Sequence, residues 1–454
     1  MDSLSDTQLV LAAAASFAGI YGLLSFVLPH SQIPLLSAVF VGSNMISRTS
    51  VFQRAIRSAV EHSQRRRVAL FSGGDKNAPE EHRRFEALAG TAKIELLSAI
   101  KSLDAYSKHC KNYNARRRKL FKLLSWRQQK LCEEAGYLQK LKQIDLHIDK
   151  NQSVLHDIIY SAKQEYGLIY RDFGLLDGEK NLPNTSSTNY RVIEALTHFV
   201  RDWTSDGAEE CEPLLKFVKE QLSKVIPENE AAETCIVVPG SGLGRVAHEI
   251  ATYRDYGAVY AVEFSGLMHA CNKFVYQQKK DHTSISPYIH SCSNFVTTRA
   301  QFRERSLPSP TQPSNLHLCL DDFRYFTIPD KQRYKNVVVV SVFFVDTAEN
   351  IIDYLDVISQ LTTPSKRSPV KNGYWINVGP LKYGTAAQAE LNVEEIQTVR
   401  KRMGWKDLCT ENTLDSREKP VIGYITDKES MWQGFYGLSK WTSAQNGNER
   451  KHKN

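Results

Sequence analysis

The stretch from Cys235 to Glu263 constrains the fold more than any other part of the chain. It opens with a buried-strand run, Cys-Ile-Val-Val, which feeds directly into Pro239-Gly240-Ser241-Gly242-Leu243-Gly244. A helical pattern, Arg245 to Arg254, follows, and then a second strand run, Ala258 to Val262, that ends on Glu263. Strand, glycine turn, helix, strand and acid together describe an α/β unit that binds a nucleoside. The glycines let the backbone turn sharply and come close to a ligand with no side chain in the way. The acid at the tip of the second strand can accept hydrogen bonds from both ribose hydroxyls. Two cofactor classes compete for such a loop. A dinucleotide site of the G-x-G-x-x-G type would need its third glycine at position 245, where this chain has Arg245. The G-x-G-x-G spacing found here is the form common in S-adenosylmethionine (AdoMet) sites, which need no diphosphate cradle. A structural turn that binds nothing is the remaining alternative.

Further strands repeat the pattern of a run ending in an acid. Leu316 to Leu320 ends at Asp321-Asp322-Phe323, where a carboxylate can accept from an adenine amine and a ring can pack on the base; a helix cap or Asp turn is the competing reading. Asn336 to Val345 is the most strand-like segment of all and ends at Asp346, with a helix beginning near Ala348. Asp346 is therefore placed at the carboxyl end of a central strand, where α/β sheets hold their reacting substrate, or else caps the helix that follows. Gly373 to Pro380 supplies a fifth strand, and Val421 to Ile425 with Tyr436 to Thr442 fits a terminal β-hairpin.

The first half of the chain is organised differently. Leu9 to Leu28 carries no charge, Pro29 ends it, and a second apolar stretch runs from Ile33 to Met45. Twenty apolar residues in a helix span about 30 Å, the thickness of a bilayer core. Acids precede the run (Asp2, Asp6) and arginines follow it (Arg48, Arg54, Arg57, Arg65 to Arg67), the reverse of a secretory signal. A membrane anchor over residues 9–28 with the rest of the chain facing the cytosol is one reading; a buried helix is the other. Ser72 to Pro79 reads as a linker. Residues 80–225 then read as an all-helical cap: no proline lies between Pro79 and Pro183, and Leu138, Leu141, Ile144, Ile148, Leu155 and Ile158 recur at helical steps. The basic run Arg116 to Lys119 is either a solvated helix face or a patch for RNA or acidic lipid. The domains expected are thus an extension (1–79), the cap (80–225), the α/β core (226–442) and a basic tail (443–454).

Composition narrows the function classes. Lys and Arg total 58 against 50 Asp and Glu, a formal charge of +8, which is a weaker basic bias than a dedicated nucleic-acid binder carries. None of the eight cysteines forms a Cys-x-x-Cys pair, so neither a structural metal nor a redox motif is implied, and the thiols read as reduced and intracellular.

Taken in order, the strings HFVRDW (198–203), VVPGSGLGRVAHEIA (237–251), EFS (263–265), DDF (321–323), FFVDTAENIIDYLD (343–356) and YWINVGPLKY (374–383) resemble the carnosine N-methyltransferase family, also called N2227-like proteins. The resemblance runs from about Glu80 to Trp441. It implies a Rossmann-like class I methyltransferase core beneath an N-terminal helical cap, with AdoMet as cofactor and methyl transfer to an imidazole nitrogen of carnosine, giving anserine. Carried over by position, Arg201 holds the methionine carboxylate and His198, where the family usually has glutamine, also meets the cofactor. Gly240, Gly242 and Gly244 line it, Glu263 takes the ribose, and Asp322 with Phe323 takes the adenine. Val342 falls where relatives have a cysteine beside the cofactor, and a backbone contact would survive that change. Asp346 matches the acid that binds the substrate imidazole, and Tyr424 and Tyr436 match two tyrosines that close the substrate pocket.

One departure bears on the acceptor. The family motif Pro-Leu-Leu-Tyr-His reads Pro380-Leu381-Lys382-Tyr383-Gly384 here, so a substrate-contacting histidine is missing. The expected acceptor is carnosine or a related histidine-containing peptide; the alternatives are a protein histidine, a nucleic acid, or a scaffold that binds AdoMet without turnover. The expected location is the cytoplasm, with the nucleus as a second compartment. Homodimerisation and membrane association through residues 9–28 stay open.

Overall fold

The computed structural model describes residues 6–27, 33–47, 52, 80–178, 185–278, 283–364, 370–416 and 421–445. The linker Ser72 to Pro79 and the tail beyond Gln445 lie outside them. Two compact units are present, Met1–Lys76 and Asn77–Asn454. In the first, helix α1 (Asp6–Val27) packs on α2 (Ile33–Ser47). Among the described residues no helix is long and apolar enough to cross a membrane.

The second unit begins with the expected helical region: α3 (His82–Ala87), α4 (Gly90–Phe121), α5 (Trp126–Glu134), α6 (Tyr137–Tyr166), α7 (Thr185–Trp203) and α8 (Ala208–Val225). The helical periodicity around Leu138 to Ile159 is the buried face of α6, where Leu141, Ile144, Ile148, Leu155 and Ile158 lie against α4. Of the basic run on α4, Arg116 and Lys119 are exposed, while Arg117 and Arg118 are half-buried and paired. Arg117 donates to the His290 carbonyl, and Arg118 pairs with Asp145 at 2.6 Å.

The core is a seven-stranded sheet of β1 (Thr234–Pro239), β2 (Ala258–Glu263), β3 (Leu316–Leu320), β4 (Asn336–Val342), β5 (Asn372–Gly379), β6 (Trp405–Asn412) and β7 (Ser439–Gln445), in the order β3-β2-β1-β4-β5-β7-β6. The first five are parallel, and β7 runs antiparallel between β5 and β6. This is the class I methyltransferase arrangement expected. Strand order reverses between β1 and β4, the switch point where open α/β sheets form their ligand crevice. Both strands are buried along nearly their whole length, which is why they read as unbroken runs of β-branched residues. Helices α9 (Arg245–Tyr253), α10 (Gly266–Gln277), α11 (Ile351–Thr362) and α12 (Val393–Arg402) complete the layers.

Three points differ from what the sequence suggests. The terminal hairpin is real but much smaller: Ile422–Gly423 pairs with Phe435–Tyr436, and the chain then breaks at Gly437 before β7 enters the main sheet. β6 had no place in the sequence reading, because an edge strand that alternates charged and half-buried residues gives no apolar run. Helix α8, expected within the cap, covers the sheet instead: Leu214, Phe217, Val218 and Leu222 pack with Ile236, Val238, Ile376 and Val378.

Candidate active site

The crevice is built first by backbone. Gly240, Gly242 and Gly244 all adopt left-handed φ angles of 57°, 55° and 83°, a region costly to residues with a Cβ. At Gly240 a Cβ would also fall 2.4 Å from the Phe344 ring. Gly242 has nothing within 4 Å of where its Cβ would be, so the loop presents bare backbone to open space there.

Glu263 finishes β2 beside this loop. Its Oε2 accepts from the Gly242 amide at 2.7 Å and its Oε1 from the Ser265 amide at 2.8 Å. Burial pushes its carboxyl up to about 6, with those amides pulling the other way. Each oxygen keeps a lone pair for a further donor, as binding a ribose diol requires. Asp322, at the end of β3, caps the turn Phe323–Tyr325 through the Arg324 amide and is gripped by the Arg324 guanidinium. The cap reading of Asp322 is thus true of its geometry, and the pairing also holds the carboxylate fixed at the crevice edge. Phe323 is buried edge-on against Phe344 (5.4 Å) and Tyr354 (5.9 Å).

Helix α7 delivers the cap's contribution. It is pinned to the glycine loop by Trp203 Nε1 donating to the Leu243 carbonyl at 2.9 Å, and by Arg245 donating to the Asp202 carbonyl. His198 and Arg201, three residues apart, share one face of that helix. The Arg201 guanidinium is nearly buried between Asp202 (2.8 Å) and Glu210 (3.4 Å), and lies over the rings of Tyr424 (5.1 Å) and Phe343 (5.5 Å). Burial alone would lower its pKa, but Asp202 and its other anionic neighbours outweigh that and raise it. The His198 ring meets Tyr424 edge-on at 6.0 Å, and burial pulls its imidazole down to about 4, leaving it neutral at physiological pH.

Beyond β4 the chain is strained. Phe343, directly after Val342, has φ of +51°, a genuine outlier for a bulky residue and a mark of sites whose surroundings enforce a geometry. That conformation stacks its ring on Tyr424 (4.8 Å) and sets it edge-on to Tyr436 (6.3 Å). Asp346 lies in the following turn, buried, with Oδ2 accepting from the Lys382 amide at 3.0 Å. Burial raises its pKa while the Lys382 amide opposes the shift. Among the described residues no other residue hydrogen-bonds to its side chain, so the helix-cap reading fails: Asn350, not Asp346, caps α11.

The structure therefore brings His198, Arg201, Tyr424, Tyr436 and Val342 with Phe343 into one aromatic cluster. Trp203, also on α7, donates to the Leu243 carbonyl of the glycine loop, and the ring of Phe344, the residue after Phe343, lies against Gly240. Sequence reasoning missed Phe343, whose backbone strain leaves no trace in composition. It also missed Glu210, an unremarkable acid on α8 that accepts from the amides of Ile425 and Thr426 and so ties the Tyr424 segment to Arg201. Lys382 was noted only as a departure. Its Nζ stands 5.6 Å from the Tyr436 ring centre, while at Gly384 a Cβ would meet nothing within 4 Å.

Whether these residues fit AdoMet can be tested on their unsatisfied groups. His198 Nδ1 and Ser241 Oγ are buried polar atoms with no hydrogen-bond partner, and Arg201 Nε has only the Glu210 carboxylate, at 3.4 Å, a costly condition in a folded interior. They belong to α7 and to the glycine loop that α7 is pinned to, and a ligand with a carboxylate, an amine and hydroxyls is what such a set lacks. The fit is good.

Comparison with known proteins agrees. A family model described as carnosine N-methyltransferase matches residues 179–447. An uncharacterized protein of Saccharomyces cerevisiae is 33% identical over 324 residues, covering 69% of each chain. The carnosine N-methyltransferase of Schizosaccharomyces pombe is 29% identical over 374 residues, 76% of this chain and 94% of its own. That of Rattus norvegicus is 29% identical over 322 residues, 65% of this chain and 74% of its own.

Proposed function

Because the chain belongs to the carnosine N-methyltransferase family, we propose that it moves a methyl group from AdoMet to an imidazole nitrogen of carnosine or a related histidine-containing peptide. The observation that carries this reading is the pairing of two features at the carboxyl ends of the adjacent strands β1 and β4: a glycine loop with unsatisfied polar groups beside it, and a buried carboxylate, Asp346, that accepts from the Lys382 amide. On the cofactor side, Arg201 would hold the methionine carboxylate, Glu263 the ribose and Asp322 the adenine amine.

AdoMet, when bound, supplies a methyl group already activated for transfer. The protein's task is then positioning and electrostatics. An imidazole with a pKa near 6.5 is mostly neutral at pH 7. Asp346 accepts a hydrogen bond from its N–H, which fixes the tautomer and leaves the other nitrogen's lone pair free to attack. The same carboxylate stabilises the positive charge that grows on the ring. Phe343, Tyr424 and Tyr436 wall the crevice and keep water from the acceptor. Lys382, set on Tyr436, favours an acceptor bearing a carboxylate, as carnosine does, and stands in for the binding lost with the family's histidine at 384.

The test is transfer of labelled methyl from AdoMet to carnosine by the full chain, with free histidine and a histidine-rich protein extract alongside. Label on carnosine or another small peptide is expected. Label on protein alone would move the acceptor to a macromolecule, and AdoMet binding with no label anywhere would favour a scaffold. A nucleic-acid acceptor is disfavoured by the modest charge excess of the chain, 58 Lys and Arg against 50 Asp and Glu.

A further inference from the structure

Helices α1 and α2 are packed inside out by the standards of a water-soluble helix pair. The residues buried most deeply at their seam are small: Ala13 is 2% exposed and Ala38 0%, and Gly42 sits against Phe17, which like Ile20, Leu24 and Val41 is half-buried. Many of the large apolar side chains point away from it, with Leu23 72%, Phe26 91%, Leu36 64% and Phe40 71% exposed. A soluble amphipathic helix does the opposite, burying its large residues and presenting charge. Here no charged residue occurs between Asp6 and Arg48. Small residues at the seam with large ones outside is the pattern of helices that associate within lipid, where nothing drives a leucine to leave the surface.

The pattern also discriminates among occupants. At about 100° per residue, the exposed residues Val10, Tyr21, Leu11, Phe26 and Leu23 fan over roughly 220° of α1. A protein groove or a second copy would cover one stripe, whereas a bilayer surrounds the helix. α2, at 15 residues, reaches only about 22 Å, short of the roughly 30 Å hydrocarbon core. In the sequence, acids precede the pair and arginines follow it, so the stretch between them can enter lipid without burying a charge.

We propose that α1 and α2 form a helical hairpin that embeds in a lipid bilayer from one face, with both ends returning to that face. This holds the methyltransferase unit at a membrane surface without a span, and it is independent of which acceptor the crevice takes.

The experiment is flotation of the full chain with phosphatidylcholine vesicles, washed at high salt. Co-flotation that survives the wash is expected, and it should be lost when Leu23→Lys and Phe40→Lys are combined. AdoMet affinity, read on the same variant, should stay unchanged and so establish that the rest of the chain is folded. Cysteines placed at Asp6 and Ser47, mapped by peptide mass, should both react with an impermeant maleimide added outside. A chain that stays unbound as monomer or dimer overturns the proposal. So does salt-reversible binding that the double variant keeps, and so does protection of only one of the two ends, which would mean a span.

Discussion

Glu263 makes AdoMet binding depend on pH in a direction that can be worked out. The carboxyl ordinarily titrates at 4.5, and burial pushes it up to about 6. The ionised form is the one that can accept from both ribose hydroxyls, since a protonated carboxyl gives up an acceptor position. Above pH 6 affinity should therefore be flat. Below it, each pH unit costs close to a factor of ten, so between pH 7.5 and pH 5 the Kd should rise about tenfold, or about 1.4 kcal/mol. His198, at about 4, does not titrate in this window. Stability runs the other way. A folded pKa above the unfolded one means that the protein measured without cofactor loses about 2 kcal/mol as pH rises from 4.5 through 6, and added cofactor should restore it. The assay is calorimetric titration with S-adenosylhomocysteine across this range, with Glu263→Gln as the comparison: its affinity should be weaker but nearly independent of pH. A Kd that stays constant from pH 7.5 to 5 in the parent protein would refute the assignment of Glu263 to the ribose.

Two further substitutions probe the loop and the acceptor side. Gly240→Ala should cost about 2–4 kcal/mol, combining the left-handed φ with a clash against Phe344; a melting curve and loss of AdoMet binding check it, because Phe344 is stacked on Tyr354 at 4.5 Å and cannot retreat. Gly384→His, entering open space, should fold normally and lower the KM for carnosine several-fold, whereas Lys382→Leu should raise it; steady-state kinetics with labelled AdoMet would separate the two.

The core was legible where burial on both faces wrote itself into composition. β1, β2 and β4 read as apolar runs, and each ended on a residue that the fold delivers to the crevice. The glycine spacing told cofactor class because backbone conformation, not side-chain identity, was at stake. What stayed hidden depended on tertiary placement. β6 is an edge strand with a polar outer face. α8 looked like one more cap helix until its apolar stripe met β1 and β5. Arg201 could be assigned to the cofactor only by resemblance, and its partners Asp202 and Glu210 carried no pattern at all. The strain at Phe343, which aims the aromatic wall, is a property of the chain's path and not of the residue.

Asp346→Asn tests the central claim most directly. Asparagine keeps the size of the side chain and an oxygen for the Lys382 amide, but removes the charge that stabilises a methylated imidazolium. The account predicts a fall in kcat of roughly a hundredfold or more, with AdoMet affinity unchanged. Full methyl transfer by this variant, or a loss of activity that follows a loss of AdoMet binding, would contradict it.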